Sequence, residues 1–119
     1  VSLAIAAKVA ESNDDYVKWP FGCVVTKGGA VQAVGRNILK SDPAYLDDHS
    51  NCSVHAEVDA LRQMSFKAHG CVMFIARVTK SGRQALAKPC RRCQRVIASA
   101  GVKRVVFTLD GSGHGVWKP

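Results

Sequence analysis

The chain has 119 residues, 47% apolar and 22% charged, with 10 glycines and 4 prolines, which fits a single globular domain over residues 1–119 and gives no case for disorder. The net charge of +8 is uneven: residues 1–59 hold five Lys or Arg against eight acids, and residues 60–119 hold twelve against Asp110 alone, a balance that suits an anionic partner as well as solvated faces. No apolar run is long enough to span a bilayer, and five cysteines, an odd number, argue for free or metal-bound thiols in a reducing, cytoplasmic setting rather than a disulfide framework.

Leu3, Ala6, Ala7 and Ala10 recur at helical spacing, and Lys8 and Glu11 break the stretch too often for a leader sequence. Residues 12–15 read as its stop. Phe21 to Thr26 is a β-rich run, and Lys27-Gly28-Gly29 turns it into Ala30 to Val34 as a hairpin. The polar stretch from Asn37 to Cys52, broken by Asp42-Pro43, has the length of a functional loop. Ser53 is expected to cap a helix reaching about Gln63, with Val54, Val58 and Leu61 on its buried side. Cys71 to Val78 reads as a strand buried on both faces, closed by Lys80-Ser81-Gly82. Pro89 is expected to head a second long helix through Cys93, Val96, Ile97 and Ala100, ended by Gly101. Val105 to Phe107 is another strand, and residues 111–115 read as loop. Strand–helix–strand order in the second half predicts parallel strands there.

Two motifs carry chemistry. Cys90 and Cys93 sit three apart at a predicted helix start, where unpaired amides and the helix dipole favour thiolate, the form a metal needs. Alone, such a pair fits a redox dithiol as well as a metal site. His55 and Glu57 lie two apart, so they cannot share a helix side, but both can reach an object off the helix mouth. Together the motifs offer His55, Cys90 and Cys93 as ligands for one Zn²⁺ per chain, with Glu57 as proton carrier over an open fourth position. Three protein ligands and one vacancy mark a catalytic zinc. Such an ion lowers the pKa of water from about 15.7 to about 7, equivalent to roughly 12 kcal/mol. Glu57 can then move a proton from water to a ring nitrogen and on to a leaving amine.

His55-Ala56-Glu57 followed by Pro89-Cys90-Arg91-Arg92-Cys93 is the signature of zinc deaminases acting on nucleobases. The chain resembles the cytidine and deoxycytidylate deaminase superfamily along most of its length. Phe21 to Val25 is similar to the family's first strand, Gly35-Arg36-Asn37 to the end of its second, and Ala100 to Val106 to the entry of its fourth. The resemblance implies a three-layer α/β/α sandwich with a mixed central sheet of four to five strands. It also implies that the Ala56 amide holds the pyrimidine carbonyl, that the Pro89 carbonyl accepts from the exocyclic amine, that Asn37 contacts sugar or base, and that Phe21 packs near the base. Four strands are evident. Residues 115–118 are too few to settle a fifth or its direction, which separates family branches. Asp59 stands where many deoxycytidylate-type members have Asn. A homo-oligomer is implied by resemblance only.

Lys88, Arg91, Arg92 and Arg95 could meet phosphate, of one mononucleotide or of a strand, or simply face solvent. His49 and Cys52 are too few for a second metal site. His69 and His114 read as surface residues, Cys23 and Cys71 as core, and Trp19 as packing more than base stacking. Three functions follow: deamination of cytosine to uracil in (deoxy)cytidine or its monophosphate; deamination of cytosine or adenine within single-stranded DNA or RNA; and a non-catalytic zinc domain used for binding. The first is preferred, because an aromatic content of 7% is thin for a strand binder and a merely structural zinc has no use for Glu57.

Overall fold

In the computed structural model, which describes residues 2–11, 20–39, 53–79 and 81–119, a mixed sheet separates one helix from two others. Its strands are β1 (Phe21–Lys27), β2 (Ala30–Arg36), β5 (Val72–Val78), β7 (Arg104–Thr108) and β8 (His114–Trp117), in the order β2-β1-β5-β7-β8, with the two-residue β6 (Gln84–Ala85) beside β5. Strand β1 is antiparallel to β2 and to β5, β5 is parallel to β7, and β7 is antiparallel to β8. The parallel pair in the second half is the one the strand–helix–strand order predicts. A separate ribbon joins β3 (Ile38–Leu39) to β4 (Ser53–Val54).

Side chains of β1 alternate between two cores, as a strand's period of two requires. Val24 meets Ala6 of helix α1 (Ser2–Glu11) and Ala76 on one face. Cys23 and Val25 face the larger core, built with Leu61 of α2 (Ala56–Gln63) and Cys93 and Ile97 of α3 (Arg91–Ser99). Two glycines bring helices hard against the sheet. A Cβ on Gly22 would strike the Ala6 carbonyl, and one on Gly35 would strike the Ala56 carbonyl and the Ala60 amide. The small residues of α2, Ala56 and Ala60, are thus matched to a strand without a side chain at that point.

The expected mixed sheet is present with a main path of five strands, and among the described residues the two-residue β6 beside β5 adds a sixth. Several expectations are corrected. The fifth strand of the main path exists and runs antiparallel to β7, and it begins at His114, inside the expected terminal loop. Ser53 does not cap α2: it pairs with Leu39 in the ribbon, and His55 is the N-cap. Pro89 likewise precedes the N-cap, Cys90, rather than opening α3. Cys71 is buried just before β5. Helix α1 is described through Glu11; the expected stop at 12–15, Trp19, His49, Cys52 and most of the 37–52 stretch lie outside the described residues. Among the described residues no helix is long and apolar enough to cross a membrane.

Candidate active site

Helices α2 and α3 begin in the same way. His55 (φ −69°, ψ 147°) and Cys90 (φ −69°, ψ 167°) are extended N-caps, and neither side chain caps its own helix. Only their carbonyls enter the helices, accepting from the Asp59 amide at 3.0 Å and the Gln94 amide at 2.8 Å. The imidazole and the thiol are therefore available to something beyond the two mouths.

They are available to each other. His55 Nδ1 lies 3.1 Å from Cys93 Sγ and 3.9 Å from Cys90 Sγ. The ligand atoms of all three residues fall within 4.8 Å of one another, and no other such group of His, Cys, Asp or Glu occurs among the described residues. Around a tetrahedral zinc, with Zn–S near 2.3 Å and Zn–N near 2.0 Å, neighbouring ligand atoms stand about 3.5 Å apart. The two distances from the imidazole to the sulfurs bracket that value.

The electrostatics ask for a cation. Cys93 is buried (2% exposed), and burial, then the neighbouring Glu57 and Cys90, push its thiol far above the ordinary range. A thiolate there needs a positive charge beside it, which a divalent ion held by His55, Cys90 and Cys93 would provide. Glu57 is 5% exposed. Burial raises its pKa, while hydrogen bonds from its own backbone amide and from Cys93, and the His55 charge, pull it back down. A carboxylate shifted upward by burial, with Cys93 hydrogen-bonded to it and His55 acting on it, is suited to carrying a proton. Cys23, beneath α2, is pushed up by burial and then by Glu57 and Asp59, so it stays a core thiol.

The residues expected to touch substrate divide. Ala56 and Pro89 are buried next to the ligands in sequence, and the Pro89 carbonyl accepts from Gln94 Nε2 at 2.9 Å. Phe21 and Asn37 meet at the ends of β1 and β2, where the Phe21 amide donates to Asn37 Oδ1 at 2.9 Å. The Arg77 guanidinium sits 5.7 Å over the Phe21 ring. Lys88 and Arg91 are exposed and Arg92 is half-buried, at the start of α3. Arg95 instead lines a shallow cavity of about 360 Å³ along the flank of α3, with Phe66, Val96, Ser99 and Ala100. His69 and His114 are exposed and Cys71 is buried, as their sequence context predicts.

Gln94 and Thr108 escaped the sequence reading, and Asp59 drew notice there only for standing where many deoxycytidylate-type members have Asn. Gln94 holds the Pro89 carbonyl. Thr108 accepts from the Arg77 amide at 3.2 Å and donates to the Ala85 carbonyl at 2.6 Å, tying β5, β6 and β7 together. Asp59 bonds both the Arg36 amide and Arg62. Only the Asp59–Arg62 spacing of three on a helix is a signal that sequence could have supplied.

The family described as the cytidine and deoxycytidylate deaminase zinc-binding region matches the chain over residues 2–109. A search of curated proteins found no match. Among solved structures, a dCMP deaminase from cyanophage S-TIM5, in complex with dCMP and dUMP, is 25% identical, with 90% of this chain covering 77% of that one at a TM-score of 0.66. A cytidine deaminase from Burkholderia pseudomallei is 15% identical over 98% of this chain and 89% of its own, with a TM-score of 0.70. A guanine deaminase from Bacillus subtilis is 24% identical over 91% of this chain and 62% of its own, with a TM-score of 0.62. The last two likenesses are of fold.

Proposed function

Because the chain belongs to the cytidine and deoxycytidylate deaminase family, we propose that it is a zinc-dependent aminohydrolase converting cytosine to uracil in (deoxy)cytidine or its monophosphate. The observation that carries this reading is the convergence of His55, Cys90 and Cys93 beside a buried Glu57. Zinc bound by those three residues would supply Lewis acidity, which brings the pKa of water down from about 15.7 towards about 7. The rest is done by the chain itself. Glu57 takes a proton from the attacking water, passes it to the ring nitrogen, and delivers the second to the amine. The water oxygen becomes the new carbonyl as the C–N bond breaks and ammonia leaves. The Ala56 amide orients the pyrimidine carbonyl, the Pro89 carbonyl receives the exocyclic amine, and Phe21 and Asn37 form the wall for base and sugar. Lys88, Arg91 and Arg92 are the groups proposed to meet a 5′-phosphate, and the complex of the cyanophage enzyme with dCMP and dUMP favours a nucleotide over a free base.

The test is turnover. Purified zinc-loaded protein should release ammonia from deoxycytidine monophosphate, cytidine or deoxycytidine, and not from guanine or adenosine. Deamination confined to a cytosine-bearing oligonucleotide would replace the substrate assignment with single-stranded nucleic acid, and no deamination at all would leave a zinc domain that only binds.

A further inference from the structure

We propose that Asp59 is a positioning residue that registers the helix bearing Glu57 against the pocket wall formed by Phe21 and Asn37, and so governs substrate affinity more than the proton transfer itself. The inference rests on the deaminase reading for its kinetic consequence, but the clamp is a matter of geometry. Among the described residues strand β2 is the edge of the sheet, and side chains of α2 take up two of its backbone groups. Gln63 Nε2 donates to the Val34 carbonyl at 2.8 Å, and the Arg36 amide donates to Asp59 Oδ2 at 3.2 Å. The Gln63 contact is exposed, whereas Asp59 is 8% exposed. Its other oxygen accepts from Arg62 Nη2 at 3.1 Å, so the Asp59 carboxylate is fixed from both sides.

The position of this clamp matters because of what adjoins it. Asp59 lies one turn along α2 from the ligand His55 and two residues after Glu57. Arg36 is followed by Asn37, whose side-chain oxygen holds the Phe21 amide. A single path therefore runs from the catalytic helix through Asp59 and the end of β2 to Asn37 and Phe21. Gly35 presses directly on Ala56 and Ala60 just before this path, so the helix and strand have no slack in the direction perpendicular to the sheet. Sliding along the strand is what a directional bond at Arg36 prevents. A carboxylate-to-amide change preserves an acceptor oxygen of the same shape, while truncation to alanine removes it.

The test compares Asp59→Ala with Asp59→Asn in the zinc-loaded protein, reading backbone hydrogen exchange at Arg36 and Phe21 together with KM and kcat for the best cytosine substrate. Loss of one partly buried hydrogen bond is expected to speed Arg36 exchange, and to raise KM, by about tenfold in Asp59→Ala, with kcat within about threefold of the parent. Asp59→Asn should restore both to within about threefold. Unchanged exchange and KM in Asp59→Ala, or a loss in kcat that Asp59→Asn does not rescue, would overturn the proposal. If Asp59→Ala fails to fold, Asp59→Asn decides alone: near-parental KM and exchange support the acceptor role, and large changes in both contradict it. A parent protein with no cytosine turnover would sink the function instead, and the exchange rates would still pass or fail the clamp.

Discussion

The two helices that meet at the ligand cluster start alike and then part. Both open on an uncapped, extended residue whose side chain is offered to the site. Helix α2 continues with Glu57 and Asp59 in its first turn and buries both. Helix α3 continues with Arg91 and Arg92, has no acid in its first turn, and among its residues buries Cys93 and Ile97. Acids at a helix N-terminus suit the macrodipole, and guanidinium groups there oppose it by about 0.3–1 kcal/mol each at low salt. The difference teaches a division of labour. On the proposed function the α2 mouth would serve proton chemistry within a packed interior, and the α3 mouth carries an electrostatic cost that an incoming anion would offset.

Breaking the α2 side should have the largest effect. Glu57→Gln is expected to lower kcat by about 10²–10⁴-fold while the zinc content stays at the parental value; a variant that loses its metal instead would make Glu57 a structural group. Next comes the α3 side. Arg91→Ala should raise KM for deoxycytidine monophosphate by about tenfold, the worth of one charge-assisted hydrogen bond, and leave KM for deoxycytidine alone. Equal shifts for nucleoside and nucleotide would remove phosphate recognition from this helix.

Stability measurements sharpen the same contrast. Gly35→Ala forces a methyl group into the α2 backbone and should cost about 1–3 kcal/mol in denaturant titrations. Burial holds the Glu57 pKa above its unfolded value, so its folding contribution is fully present below the unfolded pKa and is lost as pH rises through the folded one. Metal-free Glu57→Gln should accordingly gain on the metal-free parent as pH is raised from acidic to neutral; a gap that widened towards acid would have the wrong sign. The smallest effect is expected from Arg91→Ala itself, a gain of a few tenths of a kcal/mol at low ionic strength that added salt erases.

How much of this was legible before folding differs by element. Strands β1, β5 and β7 announce themselves as apolar runs, and α2 and α3 by their periodicity. Strands β3, β4 and β6 have two residues each, too few for any period to show, and β8 is cut by Gly115 and follows a glycine-rich turn. Ser53 reads as a cap because capping is a local preference, and pairing with Leu39 in the ribbon overrides it. The ligand motifs were legible because metal chemistry restricts residue types and spacing. That two of the three candidate ligands, His55 and Cys90, would be N-caps facing each other was not, since it depends on the sheet bringing residues 35 apart in the chain into contact. Gln94, Thr108 and the Asp59 bond to Arg36 were hidden for the same reason: each pairs a side chain with a backbone group chosen by the tertiary fold.

The proposed site is a zinc ion held by one nitrogen and two sulfurs, with a water position left open under Glu57. X-ray absorption at the zinc edge of the purified protein tests it most directly. One zinc per chain is expected, with two sulfur ligands near 2.3 Å and two lighter ligands near 2.0–2.1 Å, one of them lost in His55→Ala. An absent metal, four sulfur ligands, or a spectrum untouched by His55→Ala would contradict it.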